Sequence, residues 1–358
     1  MSAFDFEVAR KDLRQARIVN AEVPQPRDGE VLLRIERFAL TANNVTYGVF
    51  GDAMQYWQFF PAAEGWGRIP VWGFARVERS RCQGITEGER VYGYLPMSSH
   101  LVVQPGRIGE TSFMDATPHR RALPAAYQLY RRVSRDPAHD KGQEDEQALL
   151  SPLYITSFLI EDFLADNQLF GGRSVIIASA SSKTALGVAQ RLSLNRPQSC
   201  EVIGLTSARN RAFCEQLGHY DRVIGYDALE SLPADVPSVY VDMSGDGGLL
   251  SRVHHHFKDA LEHSCIVGAT HWEERQTQHA LPGAKPRFFF APGQIRKRTQ
   301  DWGPGGIDQR FAIAWDGFLP LLRRWLRVQH STPAQWEAAW SEVLEGRAAP
   351  QAGHVLEA

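Results

Sequence analysis

The sequence predicts an α/β protein with two domains, in which a β-rich domain precedes a doubly wound parallel sheet. Within the first 105 residues, short strand-like runs alternate with Pro and Gly, as in a compact barrel-like fold. From Pro152 onward, strand and helix patterns alternate, which is typical of a parallel sheet with right-handed crossovers. The length of 358 residues also exceeds that of a usual single domain. We therefore place the first domain at 1–150 and begin the second at 151.

Composition limits the function classes. The chain is 43% hydrophobic and 22% charged, so it can bury a sizeable core. Its formal net charge of -2 argues against a nucleic-acid partner, which usually meets a basic surface. No uninterrupted apolar run reaches about 18 residues, so we expect no membrane span. The early charges of the N-terminus are untypical of a secretory signal, and we expect a cytoplasmic location.

The sequence does not predict a metal site. The four cysteines are scattered and form no CxxC pair, which also argues against a disulfide framework, and HExxH is absent. His254, His255 and His256 are consecutive, so a helix would spread them over different faces. We expect structural or surface roles for these three histidines.

The elements of the first domain follow from alternation and turn residues. Strands are predicted at 30–36, 69–77 and 90–95. The segment 131–147 is polar and charged with almost no apolar residues, so we expect an exposed boundary loop there.

The second half begins with a helix from Pro152 that ends at Gly171-Gly172. Predicted strands then alternate with predicted helices along the chain. The strands are 174–179, 200–206, 222–224, 238–243, 265–268 and 287–290, and the helices are 184–194, 209–217 and 247–257. A last helix begins near Thr332-Pro333 and presents one apolar face, formed by Trp336, Trp340, Val343 and Leu344.

The turn after the first strand of this sheet is a candidate phosphate loop. Such a turn combines free backbone N–H groups with the positive end of a helix. Ser181, Ser182 and Thr184 can donate hydroxyl hydrogen bonds, and Lys183 adds positive charge. Gly187 would let helix and strand pack closely. The alternative is that these small residues serve packing alone.

The end of the second strand indicates which nucleotide would bind. An NAD site usually carries Asp or Glu here for the ribose 2′-OH. This chain has Ser207 and Arg209 instead, and an arginine can bind a 2′-phosphate through two parallel hydrogen bonds. These residues favour NADP(H). The alternative is an ordinary helix start, with Ser207 as N-cap and Arg209 in solvent.

A family resemblance is carried by five stretches. They are EVLLRIERFALTANNVTYGVFGD (30–52), GERVYGYLP (88–96), DATPHRRALPAAYQLY (115–130), SPLYITSFLIEDFL (151–164) and SVIIASASSKTALGVA (174–189). On these the chain resembles the medium-chain dehydrogenase/reductase superfamily, near its zinc-free quinone and enoyl reductases, and specifically the DUF2855 family. The resemblance implies a GroES-like catalytic domain at 1–150, to which 326–358 return, and a Rossmann domain at 151–325. It also implies a homodimer, since relatives commonly dimerise through the Rossmann sheet edge.

The same resemblance implies roles for individual residues. Zinc-dependent relatives carry a Cys and later a Gly-His-Glu motif, whereas this chain has Ala42-Asn43-Asn44 and Val71-Trp72-Gly73, so no catalytic zinc is expected. Asn43, Asn44 and Tyr47 occupy the place of a catalytic amide and phenol. The alternative is that the Asn pair caps a turn and Tyr47 packs in the core. Thr156, Gly268 and Ala269 would lie near the nicotinamide.

Aromatic and basic residues near this segment are candidate substrate contacts. Tyr56 and Trp57 belong to an apolar cluster that could wall a pocket, although such clusters are usually core. His119 and Arg120 could bind an acidic group, with Tyr127 a helical spacing beyond, although such a pair is more often a surface or capping feature.

Together these features predict an NADPH-dependent, zinc-free reductase of an activated carbonyl, either a quinone or an α,β-unsaturated ketone or thioester. One alternative is a lyase or isomerase that retains its cofactor. Another is a non-catalytic NADPH-binding sensor or scaffold.

Overall fold

The computed structural model describes residues 3–136, 139–267 and 281–358, and the chain divides into two compact units. One unit comprises Met1–Pro152 and Phe318–Ala358, and the other comprises Leu153–Gly317. Both crossings between the units fall inside helices. A helix that continues across such a crossing shows no change of composition there. The limits expected from the sequence and the family resemblance, 150 and 325, therefore differ from these crossings.

The described elements are numbered in chain order. Strands β1 to β10 are Ala3–Ala9, Asp12–Ala21, Val31–Leu40, Trp66–Gly67, Pro70–Ser80, Arg90–Pro96, His100–Val103, Pro105–Gly106, Ser112–Asp115 and Leu129–Arg132. Strands β11 to β18 are Ser174–Ile177, Glu201–Thr206, Arg222–Gly225, Ser238–Asp242, Leu261–Ile266, Pro286–Phe288, Arg327–Ser331 and Ala352–Glu357. Helices α1 to α8 are Ala42–Val49, Glu144–Asp166, Lys183–Asn195, Ala208–Leu217, Gly247–Phe257, Ala291–Trp302, Gly306–Trp325 and Trp336–Leu344.

The first unit contains two sheets. A three-stranded sheet has the order β2-β1-β4, and a nine-stranded sheet runs β17-β18-β3-β5-β6-β10-β9-β8, with β7 paired to β3. The predicted terminal helix is confirmed as α8. Trp336 and Trp340 on its apolar face are buried, and the Trp336 ring meets Phe38 at a centroid distance of 5.0 Å. Burying large aromatic surfaces of this kind is a major favourable term in folding.

The exposed loop predicted over 131–147 is shorter than expected, because regular elements occupy both of its ends. Strand β10 ends at Arg132, and α2 begins at Glu144. Acidic residues in the first turn of a helix are favourable, and each one here also meets an arginine from another segment. These ion pairs are Glu144–Arg90 at 2.5 Å, Asp145–Arg37 at 3.0 Å and Glu146–Arg323 at 2.9 Å. Partners distant in sequence thus order a segment whose composition is typical of a loop.

The second unit is a doubly wound parallel sheet, as predicted. Its six strands have the order β13-β12-β11-β14-β15-β16, and all the neighbouring pairs are parallel. Helices α3, α4 and α5 follow β11, β12 and β14, so their N-termini lie at the carboxyl edge of the sheet. That edge is where ligands bind in folds of this kind.

One described helical segment, Lys141–Asp166, is long and apolar enough to cross a membrane by length and composition alone. In this structure 61% of its most apolar window is buried. The core helix of a folded domain has the same length, composition and burial, so these properties are only weak evidence of a membrane span.

Candidate functional site

The turn between β11 and α3 has the geometry of a phosphate loop, although it contains no glycine. Ser179 adopts the left-handed conformation with φ of 50°, which glycine usually supplies. The Ser182 N–H donates to the Ser179 carbonyl at 2.7 Å, and the Ser182 hydroxyl caps the helix by accepting from the Ala185 N–H at 3.3 Å. Lys183 and Thr184 are the first two helical residues, whose N–H groups have no partner within a helix. A serine in this conformation leaves no sequence signal, so the sequence analysis missed it.

The sequence predicts that Gly187 lets α3 pack closely against the strand, but in the structure this glycine packs against another helix. A Cβ atom added there would lie 2.5 Å from the Ser157 Oγ and 3.0 Å from the Tyr154 Cδ2, both on α2. The Ser157 hydroxyl also donates to the Thr184 carbonyl at 2.8 Å. The missing side chain of Gly187 therefore allows α2 and α3 to approach closely. A direct cofactor contact is not needed to explain this glycine.

Lys183 is the positively charged residue at the junction of this loop and α3. Its side chain is partly exposed, and burial lowers its pKa from 10.5 to about 8. It is also the first residue of α3, where the helix dipole disfavours positive charge. An anion bound at the loop would favour the protonated lysine.

Two side chains that were not among the predicted site residues, one at the end of β12 and one in α4, contact the candidate phosphate loop. The Asn210 Nδ2 donates to the Ser181 Oγ at 2.9 Å, and the Thr206 Oγ1 donates to the same oxygen at 3.4 Å. Ser207 stands at the N-cap position of α4, but its hydroxyl makes no capping hydrogen bond. Arg209 is exposed and is the second residue of α4. Residues 206–210 contain no acid.

Two further side chains lie at the same edge of the sheet. The Tyr226 hydroxyl lies 3.4 Å from the Ser179 Oγ. Asp242 ends β14, is buried, and accepts hydrogen bonds from the Ser244 N–H at 2.8 Å and the Ser244 hydroxyl at 2.6 Å. Burial raises the pKa of the Asp242 carboxyl. In the sequence, the polar run SGDGG that follows this strand could have marked Asp242 as a candidate site residue.

The remaining predicted cofactor residues are Thr156, Gly268 and Ala269. Thr156 lies on α2 and is partly buried. Gly268 and Ala269 fall outside the described residues, so their predicted role stays a prediction.

In the first unit, Tyr47, Tyr56 and Tyr127 come together in an aromatic cluster that also includes Tyr94 and Trp72. The Tyr47 ring lies 4.6 Å from Tyr56, 5.6 Å from Tyr94 and 6.3 Å from Tyr127, measured between centroids. Tyr47 and Tyr94 are buried, whereas the other three are partly exposed. Burial is the main reason that the pKa of Tyr47 lies well above its usual range, and interaction with Tyr127 raises it further. Tyr94 and Trp72 lie within strands, and no motif in the sequence marked them as site residues.

The two asparagines before Tyr47 have different surroundings. The Asn44 Oδ1 accepts from the Thr41 N–H at 2.7 Å, and its Nδ2 donates to the Pro70 carbonyl at 2.8 Å. Both ends of that buried amide therefore hold the start of α1 in place. Asn43 is partly exposed, and its side-chain hydrogen bond to Tyr47 favours the ionised phenol.

Two of the predicted substrate residues lie in the core instead. Trp57 is 3% exposed because Gly51 and Gly67 make room for its ring, and a Cβ on either would come within 2.4 Å of it. Arg120 is 4% exposed, forms an ion pair with Asp115, and donates to the Phe59 carbonyl at 2.7 Å. These contacts explain why both side chains are buried, and neither is available to a substrate.

His119, by contrast, is exposed. Its Nε2 lies 3.4 Å from the Phe59 carbonyl oxygen, and burial of part of the ring lowers its pKa.

The three consecutive histidines have separate partners. His254 Nδ1 lies 2.9 Å from the Pro282 carbonyl oxygen and its Nε2 2.9 Å from the Ser264 Oγ, while His256 Nε2 lies 2.8 Å from the Leu232 carbonyl oxygen. Across the described ranges, no three His, Cys, Asp or Glu side chains come together as a metal site.

Solved structures with the same fold cover almost the whole chain. The enoyl reductase CurK is 14% identical with a TM-score of 0.60, covering 99% of each chain. A putative NADPH:quinone reductase from Mesorhizobium loti is 12% identical with a TM-score of 0.63, covering 100% of this chain and 98% of the other. CurA from Vibrio vulnificus, in complex with NADPH, is 15% identical with a TM-score of 0.58, covering 98% and 96%. Such low identities show the fold alone.

No curated protein matches the sequence. The model of a family described as a protein of unknown function, DUF2855, matches residues 38–349. The chain belongs to the DUF2855 family and has the GroES-like plus Rossmann fold of the medium-chain quinone and enoyl reductases.

Proposed function

We propose that this protein is an NADPH-dependent, zinc-independent reductase of an activated carbonyl, either a quinone or an α,β-unsaturated ketone or thioester. The observation that carries the proposal is the edge of the parallel sheet at β11 and β12. A left-handed turn there is followed by a helix N-terminus, and serine hydroxyls and a lysine surround it. Structures with this fold include an enoyl reductase and a protein bound to NADPH, which supports the same class of activity.

The side chains at this edge fit a phosphorylated dinucleotide better than an unphosphorylated one. An acid that would accept from a ribose 2′-OH is absent from 206–210. Ser207, whose hydroxyl does not cap α4, and the exposed Arg209 would bind the 2′-phosphate. Lys183 and the N–H groups that begin α3 would neutralise the pyrophosphate.

The aromatic cluster would supply the proton and a dry surface for the substrate. When bound, a reduced nicotinamide supplies a hydride to an electrophilic carbon. The partly exposed rings of Tyr56, Trp72 and Tyr127 would stack on a flat conjugated substrate. Tyr47, or water, would return the proton to the substrate oxygen, and Asn43 would orient the Tyr47 hydroxyl.

A non-catalytic NADPH-binding sensor is the second candidate. It is favoured by the Asn44 amide, both ends of which are used by the fold, and by the nearly complete burial of Tyr47. A cofactor-retaining lyase or isomerase would share the nucleotide site but release no reduced product.

Nucleotide binding and turnover test the proposal together. We expect the protein to bind NADPH more tightly than NADH and to consume NADPH with 1,2-naphthoquinone or a crotonyl thioester. Arg209→Ala should weaken NADPH much more than NADH, since only NADPH carries the 2′-phosphate. Arg211→Ala removes another exposed arginine of the same helix, one that pairs with Glu215. It is the matched control and should change neither affinity.

Equal losses of both nucleotides in Arg209→Ala would refute the 2′-phosphate role. Tight NADPH binding without oxidation by a broad panel of electrophiles would favour the sensor. Absence of binding to either nucleotide would refute the whole proposal.

A further inference from the structure

We infer that Asn210 and Thr206 set the cofactor preference of this protein by turning the Ser181 hydroxyl proton towards the 2′-phosphate of NADP(H). This inference rests on the proposed nucleotide site. It assigns positioning roles to two residues that make no contact with the nucleotide themselves.

The argument begins with the hydrogen-bonding capacity of a serine hydroxyl. Such a group has one proton and two acceptor lone pairs. The Ser181 oxygen already accepts from the Asn210 amide at 2.9 Å and from the Thr206 hydroxyl at 3.4 Å. Both lone pairs are therefore occupied, and the O–H proton of Ser181 is the only part of the hydroxyl that can still form a hydrogen bond.

That proton has no protein acceptor within the described part of the chain, and the Ser181 side chain is partly exposed. Two incoming donors also polarise the O–H bond, which strengthens its own donation. The arrangement selects a partner that only accepts hydrogen bonds. A phosphate is such a group, and a charge-assisted bond to it is roughly twice as strong as one to a neutral oxygen.

The position of the hydroxyl identifies which phosphate it would bind. Ser181 follows β11, but Asn210 and Thr206 hold it towards the end of β12. In doubly wound nucleotide-binding sheets, the end of the second strand recognises the 2′ position of the adenosine ribose. The Ser181 hydroxyl would therefore join Ser207 and Arg209 at the 2′-phosphate.

An amide at position 210 is essential to this arrangement. An aspartate there would accept the Ser181 proton instead of donating to the Ser181 oxygen. It would also place a negative charge next to the phosphate and could accept from a free ribose 2′-OH. Asn210→Asp should therefore move the preference from NADPH towards NADH.

Binding of 2′-AMP and 5′-AMP, measured by titration calorimetry, tests the inference without turnover, and NADPH and NADH are titrated alongside. Asn210→Asp and Ser181→Ala should each weaken 2′-AMP and NADPH by about tenfold or more, as expected for loss of a hydrogen bond to a charged group. Affinity for 5′-AMP should stay within about twofold in Ser181→Ala, and affinity for NADH should hold or rise in Asn210→Asp. Because the two residues act through one proton, the double variant should lose little more than either single one.

Gln216→Glu is the matched control, since it adds one exposed negative charge to the same helix. It should leave the NADPH-to-NADH affinity ratio unchanged. Thermal unfolding of every variant separates a folding defect from a binding defect, and Ser181→Ala remains the test if Asn210→Asp fails to fold.

An unchanged NADPH-to-NADH ratio in Ser181→Ala would overturn the inference, as would equal losses of both nucleotides in Asn210→Asp. In either case a wild-type protein that binds NADPH would leave the proposed function standing. Failure of the wild-type protein to bind NADPH and 2′-AMP would refute the proposed function itself.

Discussion

The lowered pKa of Lys183 predicts that the proposed NADPH binding depends on pH in a defined window. Burial lowers this pKa from 10.5 to about 8, so the free protein loses the proton well before an ordinary lysine does. Nucleotide phosphates at the loop would hold the proton and raise the pKa again. Between about pH 8 and the pKa of the complex, binding must therefore take up a proton, and affinity should fall by about tenfold per pH unit.

The interval between the two pKa values limits the size of the effect. If the bound phosphates restore the ordinary value, affinity falls across about two and a half pH units and then becomes constant. Below about pH 7 the affinity should be almost independent of Lys183 ionisation. The second pKa of the 2′-phosphate, about 6, lies below this window, so its ionisation does not change the affinity there.

Calorimetric titration with NADPH in buffers of different ionisation enthalpy counts the protons directly. At about pH 8 we expect uptake of about half a proton per NADPH, because Lys183 is then half charged. Lys183→Met should abolish this uptake and the alkaline fall in affinity. Lys297→Met, which removes an exposed lysine paired with Asp301, should keep both. A flat affinity between about pH 8 and 10 in the wild-type protein, or the same slope in Lys183→Met, would refute the reasoning.

The same lowered pKa predicts the opposite trend for folding without nucleotide. Between about pH 8 and 10.5 the unfolded chain binds more protons at this lysine than the folded protein does. The contribution of Lys183 to the free energy of unfolding therefore rises with pH in that window and stays constant below it. Denaturant unfolding of Lys183→Met should lack this rise. A rise of equal size in the variant would assign it to other groups.

Three further predictions follow from packing, charge burial and proton transfer. Gly187→Ala should lower the free energy of unfolding, measured with denaturant, by about 1–3 kcal/mol because the new methyl group meets Ser157. Ser157→Gly should restore part of this loss. If the effects of the two substitutions simply added in the double variant, the contact would be contradicted. Asp115→Asn should lower the free energy of unfolding by about 3–5 kcal/mol in the same assay, because it leaves the Arg120 charge buried without its partner. A loss below about 1 kcal/mol would show that water reaches the pair. Tyr47→Phe should slow NADPH oxidation by about 100-fold while NADPH affinity is retained, and an unchanged rate would assign the proton to water.

Periodicity was sufficient to predict most of the second unit. Helix α5 begins and ends where the sequence predicts, and the predicted strands at β11 to β16 are all present. Buried parallel strands form continuous apolar runs, and helices with one apolar face alternate with them, so local sequence carries the signal. Gly218, which closes α4 in the left-handed conformation with φ of 68°, is an equally local signal.

Side chains whose environment depends on distant segments could not be predicted in this way. Trp57 and Arg120 resemble substrate contacts in sequence, but Gly51, Gly67 and Asp115 bury them. The acidic start of α2 resembles a loop until its three arginine partners are known. Burial of polar or aromatic groups depends on their partners, and no local pattern records these partners.

The serine-rich loop between β11 and α3 can also be understood only through such partners. A glycine-rich loop exposes backbone N–H groups, whereas a serine loop offers hydroxyls that the fold must orient. Here Ser182 is used to cap α3, and Ser179 lies against the Tyr226 hydroxyl. Ser181 receives two donors, and under the inference above its proton would bind a ligand. If this division is correct, replacing Ser182 by Ala should cost helix stability, whereas replacing Ser181 should cost only anion affinity. The three serines of one short loop would then differ in function solely because of what lies opposite each hydroxyl.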